Sequence, residues 1–259
     1  MLTRVLFFAY GSLCYVIFLG TFLYAIGFIG NFGVARTLDG PLSGSLLSAL
    51  ATNAGLLALF AVQHSVMARK WFKERWTRIV PKPIERATYV LFSSLALILL
   101  FSKWRPMGGE VWSVEDPIGR IVLWGLFGFG WGLVLVSTFL IDHFDLFGLR
   151  QVWLYLLGKP CSGMRLTTPG PYRLVRHPLY LGWLFAFWMT PTMSLAHLLF
   201  ATVTTAYILL AIRFEERDLI REHGPAYEHY RLRVPMLVPL VRHRRAAAPS
   251  AVTSQDQSV

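Results

Sequence analysis

Charge is scarce in this chain. Only 15% of its 259 residues are charged, against about a quarter in soluble domains. Acidic residues are the scarcest: 14, against 25 lysines and arginines, leaving a formal charge of +11. There are two cysteines, Cys14 in an apolar run and Cys161 in a polar loop, with no CxxC and no Cys/His metal spacing. That excludes a disulfide framework and a zinc ribbon, and no metal is expected. GxGxxG, GxxxxGK[ST] and HExxH are all missing, which excludes the common soluble nucleotide folds and the zincin proteases. No small-residue cleavage site follows the first apolar run, so it reads as a span rather than a removed signal. The excess of cations sits in blocks between apolar runs. That is the pattern of membrane-protein loops, and no nucleic-acid partner is expected.

What the chain does have is hydrophobic length. Apolar residues make up 55% of it and the mean hydropathy is +0.50. Four stretches, 2–29, 45–67, 87–102 and 119–141, read as membrane spans, the third rather short. A strongly basic loop from Arg69 to Arg86 follows the second, and the polar connection after the fourth has helical potential over 149–157. Residues 179–190 and 195–212 are apolar again, parted by Pro191. The first of these covers only about 18 Å as a helix, at 1.5 Å per residue. A hairpin or one bent span would fit; charge decides. With a hairpin, 21 of the 25 lysines and arginines fall on the side of the N-terminus, whereas a single span would move the last eight across. The expectation is an all-α polytopic membrane protein with about five transmembrane helices, the last a possible hairpin. It forms one domain over residues 1–245, with a disordered tail over 246–259. The positive side is taken as the cytosol, and the Arg/Ala-rich tail points to a bacterial inner membrane. Neither an internal repeat nor a second domain is visible.

This topology gathers chemistry at one face. The second span ends in Gln63 and His64, and the fourth ends in Asp142 and His143. The hairpin is flanked by TPGPYRLVRHPLYLG (168–182) and RFEERDLIREHGPAYEHYRLRVP (213–235). Ionisable groups at the edge of apolar helices are costly unless paired or wetted. Pro178 suits a first helical turn, so a helix starting there offers free amides and a positive dipole end to an anion. Tyr180 and Trp183 offer faces to a cation, and Glu215 and Glu216 accept hydrogen bonds. Together these suit a zwitterionic, nucleoside-bearing ligand; the competing reading is interfacial ion pairing of Arg176 with the glutamates. The glycines at 125, 128, 130 and 132 read as helix-packing positions.

The motifs GPYRLVRHPLYLG, EERDL and HGPAYEHYRLRVP, in that order around a hairpin, resemble the isoprenylcysteine carboxyl methyltransferase superfamily. LFAVQHSVMAR and STFLIDHFDLFGLRQVWLYLLGKP resemble the bacterial methanethiol S-methyltransferases within it, and that likeness spans almost the whole chain. The resemblance implies five membrane helices, S-adenosyl-L-methionine drawn from the cytosol as methyl donor, and methanethiol, a small thiol, as acceptor, giving dimethyl sulfide. It places cofactor contacts on Tyr172, Arg176, His177, Pro178, Tyr180, Gly182, Glu215 and Glu216. Because the thiolate is the nucleophile, a base is needed. His143 is the first candidate, with Asp142 and His64 in support. Trp124, Phe127, Trp131, Phe144 and Phe147 are candidates to wall the thiol pocket. Membrane lipids are the expected surroundings. A lipid amine or prenylcysteine carboxylate as acceptor, an NADPH-dependent membrane reductase, and a lipid-binding scaffold remain as alternatives.

Overall fold

A computed structural model describes residues 1–42, 44–160 and 169–239. Cys161 and the tail expected to be disordered lie outside the described residues. Five helices are long and apolar enough to cross a membrane: α1 (Leu2–Gly30), α2 (Leu46–Ala68), α4 (Lys82–Lys103), α5 (Pro117–Ile141) and α9 (Leu195–His223). Shorter helices are α3 (Lys70–Trp76), α6 (His143–Leu146), α7 (Leu149–Leu156), α8 (Pro178–Trp188) and α10 (Pro225–Arg233). Two short antiparallel strands, β1 (Glu110–Ser113) and β2 (Thr192–Ser194), tie the α4–α5 connection to the α8–α9 turn. The chain is an integral membrane protein of all-α type.

Local chemistry sets the helix ends. Ser45, Asp116 and Ser194 cap α2, α5 and α9, each side chain accepting an amide of the first turn. Prolines occupy the first turns of α4, α5, α8 and α10, where a missing N–H costs nothing. Asn31 ends α1 in the left-handed conformation, its amide closing on the Gly27 carbonyl.

The third span is longer than its apolar run suggests. It begins at Lys82 rather than Ala87, because Pro83 fits the first turn and Glu85 lies at the positive end of the helix dipole. The basic stretch before it is partly helical too, as α3. The hairpin is present, and its second arm alone is span length. α9 continues through RFEERDLIREH to His223, since these are good helix formers once outside the apolar layer. α8 is the short member, 11 residues, entering at one face and turning at the other.

Around the bundle the packing order is α1, α4, α2, α9, α8, α5. The ring closes where Phe22 of α1 meets Trp131 of α5 edge-on at 5.2 Å. The half of the bundle away from the N-terminus is filled by Phe28, Phe101, Trp104, Phe127, Phe187 and Phe200. α5 and α8 make the closest crossing. Gly182 and Gly130 face each other there, and a Cβ on Gly182 would stand 2.7 Å from the Gly130 carbonyl oxygen. Of the four α5 glycines expected to pack, only Gly130 does; Gly125, Gly128 and Gly132 face open space. The missing side chain at Gly182 therefore serves this crossing, not only the ligand contact that the motif suggests.

At the far end, Asp39 clasps the α8–α9 turn. Its carboxylate takes short hydrogen bonds from the Ser194 hydroxyl and the Asn31 amide, and accepts the Ser194 backbone N–H at 3.2 Å. His197, fully buried, faces it at 3.4 Å and donates its other nitrogen to the Phe187 carbonyl at 2.9 Å.

Two outcomes follow. Gly182→Ala forces backbone atoms of α5 to move, and should destabilise the detergent-solubilised protein by about 1–3 kcal/mol in thermal melting. Burial pushes the Asp39 carboxyl up, but the His197 and Ser194 contacts outweigh it and hold the group below its ordinary value. Its contribution is therefore complete above the ordinary aspartate range and is lost as the pH falls below about 4. A melting curve against pH should drop there, and the drop should shrink in Asp39→Asn.

Candidate active site

The polar run before α8 is bound to the end of the described chain. The Arg176 and His177 amides donate to the Pro235 and Met236 carbonyls at 2.9 and 3.2 Å. Arg176 sends Nε and Nη2 to one oxygen of Glu216, both at 2.7 Å, and Nη1 to the Val234 and Arg231 carbonyls at 2.5 and 3.1 Å. His177 Nε2 reaches the same Glu216 oxygen at 3.1 Å. Three segments, from the α8 entrance, α9 and the stretch after α10, thus meet on one carboxylate. The guanidinium is fully engaged, so Arg176 organises the site rather than presenting a free cation to a ligand.

Beside this knot lie the groups left to bind something. Tyr180 donates to Glu215 at 2.8 Å, and Glu215 is exposed. The amides of the first α8 turn follow Pro178 and have no partner within the helix. Tyr230 donates to the Tyr172 carbonyl at 2.6 Å. Tyr227 is 2% exposed, and its hydroxyl is without a hydrogen-bond partner among the described residues. Burial pushes the Tyr230 phenol up to about 12, and raises Tyr172 and Tyr227 as well. These phenols therefore stay protonated and act as donors.

His64 adjoins this group. Its ring lies within 3.0 Å of the Tyr89 hydroxyl, with Ser93 at 3.2 Å from Nδ1, and it stacks on Phe60. Tyr207 of α9 bonds Ser65 of α2 at 3.0 Å and meets Phe60 edge-on. His64 is half-buried between α2 and α4 and keeps accessible surface. The near half of the ring thus carries polar side chains on four helices, His64 on α2, Tyr89 on α4, Tyr180 on α8 and Tyr207 on α9, and we call this polar end the cup.

His143 lies elsewhere. It occupies the seam between α1 and the α5–α6 corner, 5% exposed, stacked at 4.2 Å on the outward-facing Phe139. Both ring nitrogens are occupied. Thr138 donates its own proton to the Leu135 carbonyl at 2.7 Å, so towards Nδ1 it only accepts; Nδ1 carries the hydrogen, and Nε2 receives the Tyr15 hydroxyl at 2.8 Å. Burial holds this imidazole below its ordinary value. Asp142 does not touch it. Asp142 adopts φ 133°, caps α6 through the Asp145 amide and faces Arg150 at 3.8 Å. Of the expected thiol walls, Phe127 and Trp131 are buried in the core cluster, with Trp124 packed against it, whereas Phe144 is 47% exposed on the outside.

So the structure brings Tyr180, Glu215, Glu216, Arg176 and His177 together, sets His64 against Tyr89 and Ser93, and puts Asp142 and His143 at the α5–α6 corner. Tyr89, Tyr207 and Tyr227 were not singled out from sequence. A tyrosine amid an apolar span, as Tyr89 is, was the available signal. Among the described residues no cluster of His, Cys, Asp or Glu could hold a metal.

The comparisons with known proteins decide the family. A methanethiol S-methyltransferase of Crocosphaera subtropica is 55% identical over 240 residues, 93% of this chain and 94% of its own length. This chain belongs to the methanethiol S-methyltransferase family. A relative of the same name from Mycobacterium tuberculosis is 52% identical over 91% of this chain and 97% of its own. Human nurim is more distant, 33% identical over 68% of this chain and 70% of its own. No family model and no solved structure matches it.

Glu216→Ala would leave the Arg176 guanidinium buried without a counter-charge, and should cost about 3–5 kcal/mol. Limited proteolysis should then release the segment after α9 first. If that segment stays protected while the melting temperature is unchanged, Glu216 is not the tie.

Proposed function

We propose that this membrane protein transfers a methyl group from S-adenosylmethionine to methanethiol, yielding dimethyl sulfide, at the cytosolic face of a bacterial inner membrane. The observation that carries the reading is the likeness to methanethiol S-methyltransferases over more than nine-tenths of both chains in two relatives. The cup supports it, because its donors and acceptors fit that methyl donor. Free amides at the α8 entrance suit a carboxylate. Glu215 suits an amino group or ribose hydroxyls. The Tyr180 face suits a sulfonium, and the Tyr227 hydroxyl is buried and lacks a partner. His177 and Arg176, both tied to Glu216, fix the entrance. When bound, S-adenosylmethionine supplies the electrophilic methyl group and a positive charge beside which a thiolate is stabilised.

The chain's own groups then have two tasks. One is to hold the thiol in line with that methyl group inside a cup that excludes bulk water, a contribution of several kcal/mol. The other is to take the thiol proton, because the thiolate is the nucleophile. We assign the proton to His64, directly or across the Tyr89 hydroxyl, since His64 faces the cup and His143 is sealed by Tyr15 and Thr138. The proton leaves His64 for water on the cytosolic side. His143 and Asp142 instead hold the α5–α6 corner. A small apolar thiol reaches the cup from the bilayer without needing a wide groove.

Headspace gas chromatography of the purified protein tests this. Dimethyl sulfide should form only when methanethiol and S-adenosylmethionine are both supplied, and His177→Ala should abolish donor binding in calorimetry. His64→Gln should lower turnover on the order of a hundredfold or more with donor affinity unchanged, whereas His143→Gln should chiefly lower the melting temperature. The reverse pattern would return the base to His143. Donor binding without dimethyl sulfide would keep the methyltransferase and discard the acceptor, and lipid amines and prenylated carboxylates would be next.

A further inference from the structure

The face opposite the cup has few cations. Among the described residues only Arg36, Lys103, Arg105 and Arg120 fall there, by the order of the spans. Three of these four line one cavity. Arg36, Lys103 and Arg105 surround a hollow of about 470 Å³ where α4 ends, with Trp104 and Gly44 completing its wall. Among the described residues none of the three forms an ion pair; the carboxylates that do are held by other partners. All three are exposed, and their backbones are anchored. Arg105 donates Nη1 to Ser48 at 2.9 Å, and its amide is held by Asn53 at 3.0 Å. The Arg36 amide is held by the Tyr24 hydroxyl at 3.3 Å. Lys103 is the last residue of α4.

Three like charges lining one hollow, with no ion-pair partner among the described residues, make it electropositive, and a concave wall concentrates their field. On the side of a membrane where cations are sparse, such an arrangement matches an anion. Its depth narrows the source. Lys103 marks the end of the apolar layer, where lipid phosphates lie. Next to the cavity Leu42, Leu46 and Leu47 are exposed apolar residues, 45%, 45% and 76% accessible, a surface suited to acyl chains. We propose that this cavity binds a phosphate-class oxyanion, supplied by the headgroup of an anionic phospholipid in the leaflet opposite the cup.

The test is native mass spectrometry of the full detergent-solubilised chain, titrated with phosphatidylglycerol, diacylglycerol or inorganic phosphate. Phosphatidylglycerol should bind and diacylglycerol should not. Replacing Arg36, Lys103 and Arg105 together by Gln should weaken phosphatidylglycerol on the order of a hundredfold, while dimethyl sulfide production by the same sample shows that the protein is folded. If the triple variant is misfolded, Lys103→Gln alone, a side chain at the rim, should still lower affinity measurably. Arg120→Gln, on the same face but outside the cavity, should leave it intact. Equal binding by wild type and the cavity variants, or an equal loss in Arg120→Gln, would overturn the site. Inorganic phosphate competing with phosphatidylglycerol at equal strength would keep the anion site and overturn the lipid as its source.

Discussion

One carboxylate holds the working end of this molecule together. Glu216 receives the Arg176 guanidinium through two nitrogens and the His177 ring through a third. Both partners come from the entrance of α8, whereas the carboxylate belongs to α9, so this contact ties those two segments. A charged pair near apolar surroundings is not by itself stabilising, since desolvation offsets much of the attraction. What it provides is registry. Removing Glu216 leaves the Arg176 guanidinium buried without a counter-charge, so this contact fixes where the entrance of α8 meets the outer part of α9. The Arg176 donors to Val234 and Arg231 extend the same tie to the backbone. The geometry of the cup therefore depends on a contact outside the apolar layer, not on packing within it.

Inside the bilayer the helices have little hydrophobic reason to associate, because lipid is as apolar as leucine. The closeness of α5 to α8 rests on shape, with Gly130 and Gly182 letting backbones touch. This is also why α8 can be short. Eleven residues pressed against a full span are followed by a β-pair and the Asp39 clasp, which pair polar groups of the α8–α9 turn within the protein. A short helix starting below the membrane surface brings the RHP motif down towards His64 and Tyr89, and α9 carries Glu215 and Glu216 to meet it.

The alternation of apolar and charged blocks made the spans and their sidedness legible, and the hairpin followed from where the last cations must go. Boundaries were less visible. Lys82–Arg86 reads as loop by polarity but is helix by proline placement, and the second hairpin arm outlasts its apolar run because EERDLIREH keeps helix propensity after hydrophobicity ends. The candidate site was half legible. RHPLY and EE stand out as polar matter beside apolar helices, and they do converge. Sequence could not say which histidine faces the cup, since His64 and His143 sit alike at span ends. The difference lies in burial: His143 is 5% exposed between Tyr15, 128 residues away along the chain, and Thr138, whereas His64, against Tyr89 and Ser93, is only half-buried. Nor did periodicity reveal that three α5 glycines look outward.

The two ends of the bundle divide the labour. Away from the N-terminus the structure is tied shut by a strand pair, the Asp39–Ser194–His197 clasp and an aromatic core running from Phe28 to Phe200. Near the N-terminus the same ring opens into hydroxyls and imidazole. A large water-soluble donor and a small lipid-soluble acceptor need such a polarity gradient, because each must approach from the medium that dissolves it. On the function proposed above, the donor's charged parts would meet amides, phenols and carboxylates where the helices emerge, and the thiol would arrive laterally from the bilayer. Closing the far half rigidly fixes the floor of the cup, so that the reacting groups are located by the bundle and not by loops.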